Sequence, residues 1–144
     1  MSLPKPYYND ERNGITIYHG DCREILPHIS IDAIVTDPVW PGGTIPLIGS
    51  NNPEALFSEM WASTKGVKRL AAQIGCWTSP FFLKCIGLPF FRIASLDIAC
   101  VGYRGRLLMT GDAAYLFGEP PSSRPGRRVI PGRVLDSSST GQDK

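Results

Sequence analysis

Residues 31–40 have the sequence IDAIVTDPVW, and this stretch decides which fold the chain is expected to adopt. Residues 31–36 form a nearly continuous apolar run rich in β-branched side chains, which is typical of a central, buried strand in a parallel sheet. Asp37, Pro38 and Trp40 follow at the carboxyl end of that strand. Because open α/β sheets bind ligands at this edge, the stretch predicts a site as well as a strand.

The residues before this stretch predict a second strand and a short helix. Residues 14–18 alternate in the manner of a strand, and residues 23–29 place their apolar side chains on one side of a helix. Asp21 lies at the start of that helix, where its carboxylate can accept a hydrogen bond from a free backbone N–H group. Strand, helix and strand then form a βαβ unit, so residues 14–18 and 31–36 are expected to be parallel with a right-handed crossover.

The chain after the site stretch predicts six further elements and then a tail. The elements are a helix over 53–63, a strand over 71–77, a short helix over 81–87 and strands over 90–99, 106–109 and 113–117, the last two joined by a turn at 110–112. Composition divides the whole chain into an N-terminal arm (1–13), an α/β domain (14–117) and a flexible tail rich in Pro, Gly, Ser and Arg (118–144).

Length and composition are those of one globular domain. The chain has 144 residues, 42% of them hydrophobic, and a net charge of +2 that by itself implies no partner. No signal peptide or membrane-spanning apolar run is visible, so we expect a cytoplasmic protein without a membrane partner. The cysteines lack CxxC spacing, which predicts reduced, mostly buried thiols and no metal site. They are Cys22, Cys76, Cys85 and Cys100.

The residues at the end of the predicted strand suit a flat ring that bears an amino group. The Asp37 carboxylate and the Pro38 carbonyl can each accept one hydrogen bond from an exocyclic amino group, which would draw the nitrogen lone pair out of conjugation and make it a nucleophile. Trp40 offers a face on which a base can stack, worth about 1–3 kcal/mol. A base in a duplex would first have to be flipped out. The alternative interpretation is a strand end with a proline turn and a partly buried tryptophan.

Residues 17–22 and 32–40 together resemble the start of the DNA amino-methyltransferases, which methylate adenine N6 or cytosine N4. That family has a strand ending in Gly-Asp, a short helix and an apolar strand ending in Asp/Ser-Pro-Pro-aromatic. Gly20-Asp21 and Asp37-Pro38-Val39-Trp40 match this order in the present sequence. The resemblance is specific over residues 14–40 and weaker downstream.

The resemblance implies a Rossmann-like α/β methyltransferase sheet, S-adenosylmethionine as cofactor and double-stranded DNA as partner, with the target base flipped out. It implies that Asp37 and Pro38 hold the target amino group, adenine being favoured over cytosine, and that Trp40 stacks on the base. Asp21 and Cys22, together with Asp37, would lie near the cofactor. The expected activity is the site-specific DNA methylation found in restriction-modification systems.

Two features of the sequence depart from the family pattern. Val39 stands where the family has a second proline, and no glycine-rich cofactor loop follows the site. We therefore expect a partial sheet that lacks the C-terminal strands and that loop, with no turnover by this chain alone. The strand at residues 14–18 would then be an exposed edge, which favours self-association or pairing with a complementing C-terminal fragment.

The basic residues of the tail leave a second function open. Arg124, Arg127 and Arg128 could contact phosphates in a sequence-independent manner, or they could belong to a solvated linker. One alternative to the enzyme is therefore a non-catalytic, nucleic-acid-binding remnant of a methyltransferase. A further alternative is an unrelated small α/β domain in which residues 37–40 form only a turn.

Overall fold

The computed structural model describes residues 3–41, 46–76, 78–120, 122, 126 and 133–135. The strands are β1 (Tyr8–Asp10), β2 (Ile15–Ile17), β3 (Ala33–Thr36), β4 (Arg69–Ile74), β5 (Phe90–Arg104), β6 (Leu107–Gly118) and β7 (Arg133–Leu135). The helices are α1 (Cys22–Ile25) and α2 (Pro53–Ala62), with 3₁₀ turns at Leu26–His28 and Pro80–Leu83.

Five strands form one mixed sheet in the order β3-β4-β6-β5-β7. The β3–β4 and β5–β7 pairs are parallel, whereas β6 is antiparallel to both β4 and β5. The predicted combination of helices with a sheet that contains parallel strands is therefore present. The long antiparallel hairpin of β5 and β6 makes the sheet mixed.

The expected βαβ unit is absent, because β2 does not pair with β3. Instead β2 pairs antiparallel with β1 in a separate two-stranded sheet, in which Tyr8 lies opposite Ile17. The turn between them contains Gly14 at φ +66° and is held by the Asn13 side chain, which donates to the Asp10 carboxylate at 2.8 Å. A strand a few residues away closes a much shorter loop than β3 would, so the local hairpin costs less chain entropy. Residues 8–10, predicted as part of an arm, are this partner strand.

β3 lies at the edge of the five-stranded sheet and has β4 as its one neighbour there. The prediction of a buried, central strand is wrong: the Val35 side chain is 87% exposed. Apolar composition alone does not distinguish a central strand from an edge strand whose outer face is apolar. Self-association through an exposed edge at residues 14–18 stays a prediction, and in the structure these residues pair with β1 outside the five-stranded sheet.

The core lies between α2 and one face of the sheet. It consists of the buried side chains Phe57, Leu70, Ala72, Ile74, Phe82 and Leu83. Alternate residues of β4 supply three of these, as expected for a strand with one covered face. Asn52 caps α2 by accepting from the Ala55 N–H group at 3.2 Å, and Pro53 occupies the first turn, where its missing N–H group is not needed.

The hairpin of β5 and β6 corrects the predicted turn at residues 110–112. β6 continues through these residues, and the hairpin turns instead at Gly105, which has φ +61°. Asp112 consequently lies inside a strand, opposite Leu96 of β5 and one residue before Ala113, which pairs with Ile74 of β4. This register carries Asp112 to the carboxyl end of β4.

Candidate nucleobase site

The carboxyl ends of β3 and β4 lie side by side and bring two loops together. Thr36 is the partner of Ala72 in the parallel register, so the residues that follow each strand leave the same edge of the sheet. The two loops are in contact: a Cβ atom added to Gly75, after β4, would lie 3.2 Å from the Trp40 Nε1 atom, after β3. The structure therefore places the predicted site at the edge where parallel strands present ligand-binding residues.

Asp37 is exposed at this edge, and no hydrogen bond or ion pair involves its carboxylate within the described part of the chain. Partial burial raises the pKa of Asp37 above its usual value, and the negative charge of Asp112 raises it further. The two carboxylates are thus close enough for their charges to repel. An Asp37 carboxylate in this environment is stabilised by any ligand that donates hydrogen bonds to it.

Asp112 is the residue of the site that the sequence analysis missed. Its carboxylate accepts from the Cys76 backbone N–H group at 3.1 Å and from the Gln73 Nε2 atom at 3.4 Å. These contacts join β6 to the end of β4 and hold the carboxylate where its charge acts on Asp37. The neighbouring sequence does not identify Asp112 as a site residue, because an aspartate after a glycine is typical of a turn. Its position becomes clear only from the register of β6 against β4.

Trp40 is half-buried and packs against the hydrophobic core, with one edge of its indole ring facing Gly75. Trp40 is therefore partly buried, as in the alternative interpretation of these residues, and only part of its ring is open to a ligand. The Thr78 hydroxyl lies near the same contact, 3.6 Å from the position of the added Gly75 Cβ atom. A ligand ring could contact only the part of the indole that remains accessible.

Asp21 is the N-cap of α1, as the sequence predicted. Its Oδ1 atom accepts from the Arg23 backbone N–H group at 2.9 Å, and the Arg23 guanidinium binds the same carboxylate while also contacting Glu59 of α2. Hydrogen bonds from Arg23 lower the pKa of Asp21 to about 2. In the described part of the chain, the hydrogen-bond and ion-pair partners of the Asp21 carboxylate all belong to Arg23. The structure thus engages Asp21 with Arg23 rather than with the Asp37 edge.

Two of the three cysteines whose side chains the structure describes are more accessible than predicted, and the Cys100 side chain lies outside the described part. Cys22 and Cys76 are exposed and Cys85 is half-buried, so the expectation of mostly buried thiols is wrong for the first two. Partial burial raises the pKa of the Cys22 thiol, with a smaller contribution from the charge of Asp21. Cys22 therefore stays a neutral thiol near neutral pH and is a poor nucleophile.

The remaining predictions concern the arginines of the tail, metal binding and membrane contact. Arg124, Arg127 and Arg128 lie outside the described residues. Within the described ranges, no group of three or more His, Cys, Asp or Glu side chains is arranged to hold a metal ion. None of the described helices is long and apolar enough to cross a membrane.

Comparison with known proteins gives no family assignment. No protein-family model matches the chain, and no curated protein or solved structure matches it either. The residues that bear on function are Asp37, Trp40 and Asp112, at the carboxyl edge of β3 and β4.

Proposed function

We propose that this chain is a nucleobase-binding domain of the DNA amino-methyltransferase type, with Asp37 and Pro38 as the acceptors for the target amino group. The observation that supports this function is the exposed Asp37 carboxylate at the carboxyl end of the parallel β3–β4 pair, beside Trp40 and Asp112. The proposed domain is a cytoplasmic, Rossmann-like variant that acts on a base flipped out of double-stranded DNA, with adenine favoured over cytosine.

The charge of the edge favours the base over the DNA backbone. Asp37 and Asp112 are close enough for their charges to interact, and two carboxylates repel a phosphate. An exocyclic amino group carries two N–H donors and no negative charge, so it can satisfy the Asp37 carboxylate and the Pro38 carbonyl together. Attraction to the DNA backbone must come from elsewhere, and the arginines of residues 118–144 are the proposed source.

The residues that the resemblance assigns to S-adenosylmethionine do not fit that cofactor in the present arrangement. Both carboxylate oxygens of Asp21 accept hydrogen bonds from Arg23, which leaves no free pair of acceptors for the hydroxyl groups of the adenosine. Cys22 presents a neutral thiol, and Asp37, the third residue assigned to the cofactor, is the proposed acceptor for the base. We therefore propose binding of the base by this chain and derive no methyl-transfer step from its residues.

Binding of single-stranded oligonucleotides tests the proposed function. Oligo(dA) and oligo(dC) carry exocyclic amino groups, whereas oligo(dT) does not. We expect tighter binding of oligo(dA) than of oligo(dT) in fluorescence anisotropy, and a loss of that preference on the order of tenfold in Asp37→Asn, equivalent to about 1.4 kcal/mol. The matched control is Asp32→Asn, at the opposite end of β3, where the side chain is 91% exposed. Equal affinity of the unaltered chain for oligo(dA) and oligo(dT) would refute the function.

A second measurement distinguishes the binding domain from a competent enzyme. With methyl-labelled S-adenosylmethionine and duplex DNA, we expect no label to enter the DNA, and calorimetry should show no micromolar binding of S-adenosylmethionine. Label that enters the DNA and is lost in Asp37→Asn would instead show that the chain is itself a methyltransferase. In that case Asp21 must release Arg23 when the cofactor binds.

A further inference from the structure

Gly75 lies where the loop after β4 contacts the loop after β3. It is buried, and a Cβ atom at this position would lie 3.2 Å from Nε1 and 3.4 Å from Cε2 of Trp40. Gly75 is not among the glycines with positive φ, so the backbone conformation does not itself require a glycine. The missing Cβ atom therefore serves the close approach of the indole ring.

The loop that contains Gly75 is held in place on its other side. The Cys76 N–H group donates to Asp112 at 3.1 Å, and the Thr78 N–H group donates to the Gly75 carbonyl at 2.8 Å. The Thr78 side chain is 8% exposed, and its hydroxyl has no hydrogen-bond partner among the described residues. A Cβ atom at residue 75 thus meets a restrained loop, and the indole of Trp40 is the group that has to move.

We propose that Gly75 is a positioning residue for Trp40: it sets the edge of the indole against the end of β4 and thereby orients the accessible face toward the ligand held at Asp37. Trp40 follows Asp37 by three residues, so a shift of the indole also changes the spacing between the two groups that would grip the base. The role in base binding rests on the proposed function, whereas the contact with Trp40 does not.

A substitution by alanine isolates this contact from other effects of glycine. Where the backbone permits it, replacing glycine by alanine reduces the freedom of the unfolded chain and stabilises the fold. Gly87 is the matched control, because its φ is not positive and a Cβ atom there would have no neighbour within 4 Å. Gly75→Ala and Gly87→Ala therefore differ in the contact with Trp40, and also in burial, since Gly75 is buried and Gly87 is exposed.

The test combines these variants with Trp40→Leu in a double-mutant cycle. The emission of Trp40 is obtained as the difference between the spectra of a protein with Trp40 and its Trp40→Leu counterpart. We expect Gly75→Ala to shift this difference spectrum and to weaken the preference for oligo(dA) by threefold or more, while Gly87→Ala changes neither. We expect Gly75→Ala to lower the urea midpoint when Trp40 is present. In the Trp40→Leu background, the same substitution should not lower it.

Each outcome of this cycle decides the proposal. If Gly75→Ala does not fold but Gly75→Ala/Trp40→Leu does, the clash with Trp40 is shown directly. If Gly75→Ala behaves as Gly87→Ala in emission and urea midpoint, or lowers the midpoint equally with and without Trp40, the positioning role is wrong. A chain that does not prefer oligo(dA) refutes the proposed function, but the emission and stability cycle still tests the contact.

Discussion

Asp21 follows β2 and caps α1, whereas Asp37 follows β3, and the environments of the two carboxylates differ. Asp21 is bound by the backbone and guanidinium of Arg23, which lower its pKa to about 2. Asp37 has no hydrogen-bond partner within the described residues, and its pKa is raised by partial burial and by Asp112. An aspartate whose charge is already satisfied by protein groups therefore stabilises the fold, whereas one whose charge is poorly satisfied is available to a ligand.

The residues that come next in the chain explain much of this difference. Arg23, two residues after Asp21, supplies both a backbone N–H group and a guanidinium to the carboxylate. Asp37 is followed by Pro38, which has no N–H group, and the residue two positions on is Val39, which has no side-chain donor. A partner for Asp37 therefore has to come from another part of the structure or from a ligand.

The largest expected effect comes from giving Asp37 the partner that Asp21 has. Val39→Arg places an arginine two residues after Asp37, as Arg23 follows Asp21. We expect the pKa of Asp37 to fall and the preference for oligo(dA) over oligo(dT) to drop on the order of tenfold, equivalent to about 1.4 kcal/mol. The ratio of the two affinities is the measurement, because added phosphate attraction affects both oligonucleotides alike. Val39→Gln is the uncharged control. If the ratio of oligo(dA) to oligo(dT) affinity is the same in Val39→Arg and Val39→Gln, the Asp37 carboxylate is not the group that binds the base.

A smaller effect is expected when the cap of α1 is removed. Asp21→Ala should lower the free energy of unfolding by about 1 kcal/mol, because the first turn of α1 loses its side-chain acceptor. Urea denaturation measures the change. Asp32→Ala is the control, since Asp32 is largely exposed and should cost less than about 0.5 kcal/mol. The oligo(dA) preference of Asp21→Ala should be unchanged; its loss would show that Asp21 also contacts the base.

The smallest effect is the pH dependence of stability, and its sign differs between the two aspartates. The pKa of Asp21 is lowered from 3.8 to about 2, so its stabilising contribution is present above pH 3.8 and is lost as the pH falls through about 2. The pKa of Asp37 is raised, so stability is lost as the pH rises from 3.8 through the raised value.

Urea denaturation of two variants separates these signs. Asp21→Ala should be less stable than the unaltered protein at neutral pH and approach it at low pH. Asp37→Asn should match the unaltered protein at low pH and gain slightly on it as the pH rises. Parallel pH profiles for the two variants would contradict the opposite pKa shifts.

The parts of the fold that depend on neighbouring residues were predicted well. The strand at residues 31–36 is present as β3, the helix over 53–63 is present as α2, and Asp21 caps α1 as expected. A capping aspartate and its donor lie within two or three residues of each other, so the sequence pattern contains both partners.

The parts that depend on distant residues were not predicted. β3 lies at an edge rather than in the centre, β2 pairs with β1 rather than with β3, and Asp112 joins the site from β6. The choice among strand partners is a competition between loop-closure entropy and burial, and a local pattern does not contain the alternatives. An apolar strand accordingly has the same sequence pattern whether it has a neighbouring strand on both sides or on one.

The local sequence established the end of β3, the residues that follow it and the starts of α1 and α2. The tertiary structure brings the charge of Asp112 close to Asp37 and packs Trp40 against Gly75. These features differ in the distance along the chain between the residues involved. The helix caps and the end of β3 are set by contacts within a few residues. The charge around Asp37 and the burial of Trp40 are set by β4 and β6, which lie tens of residues away.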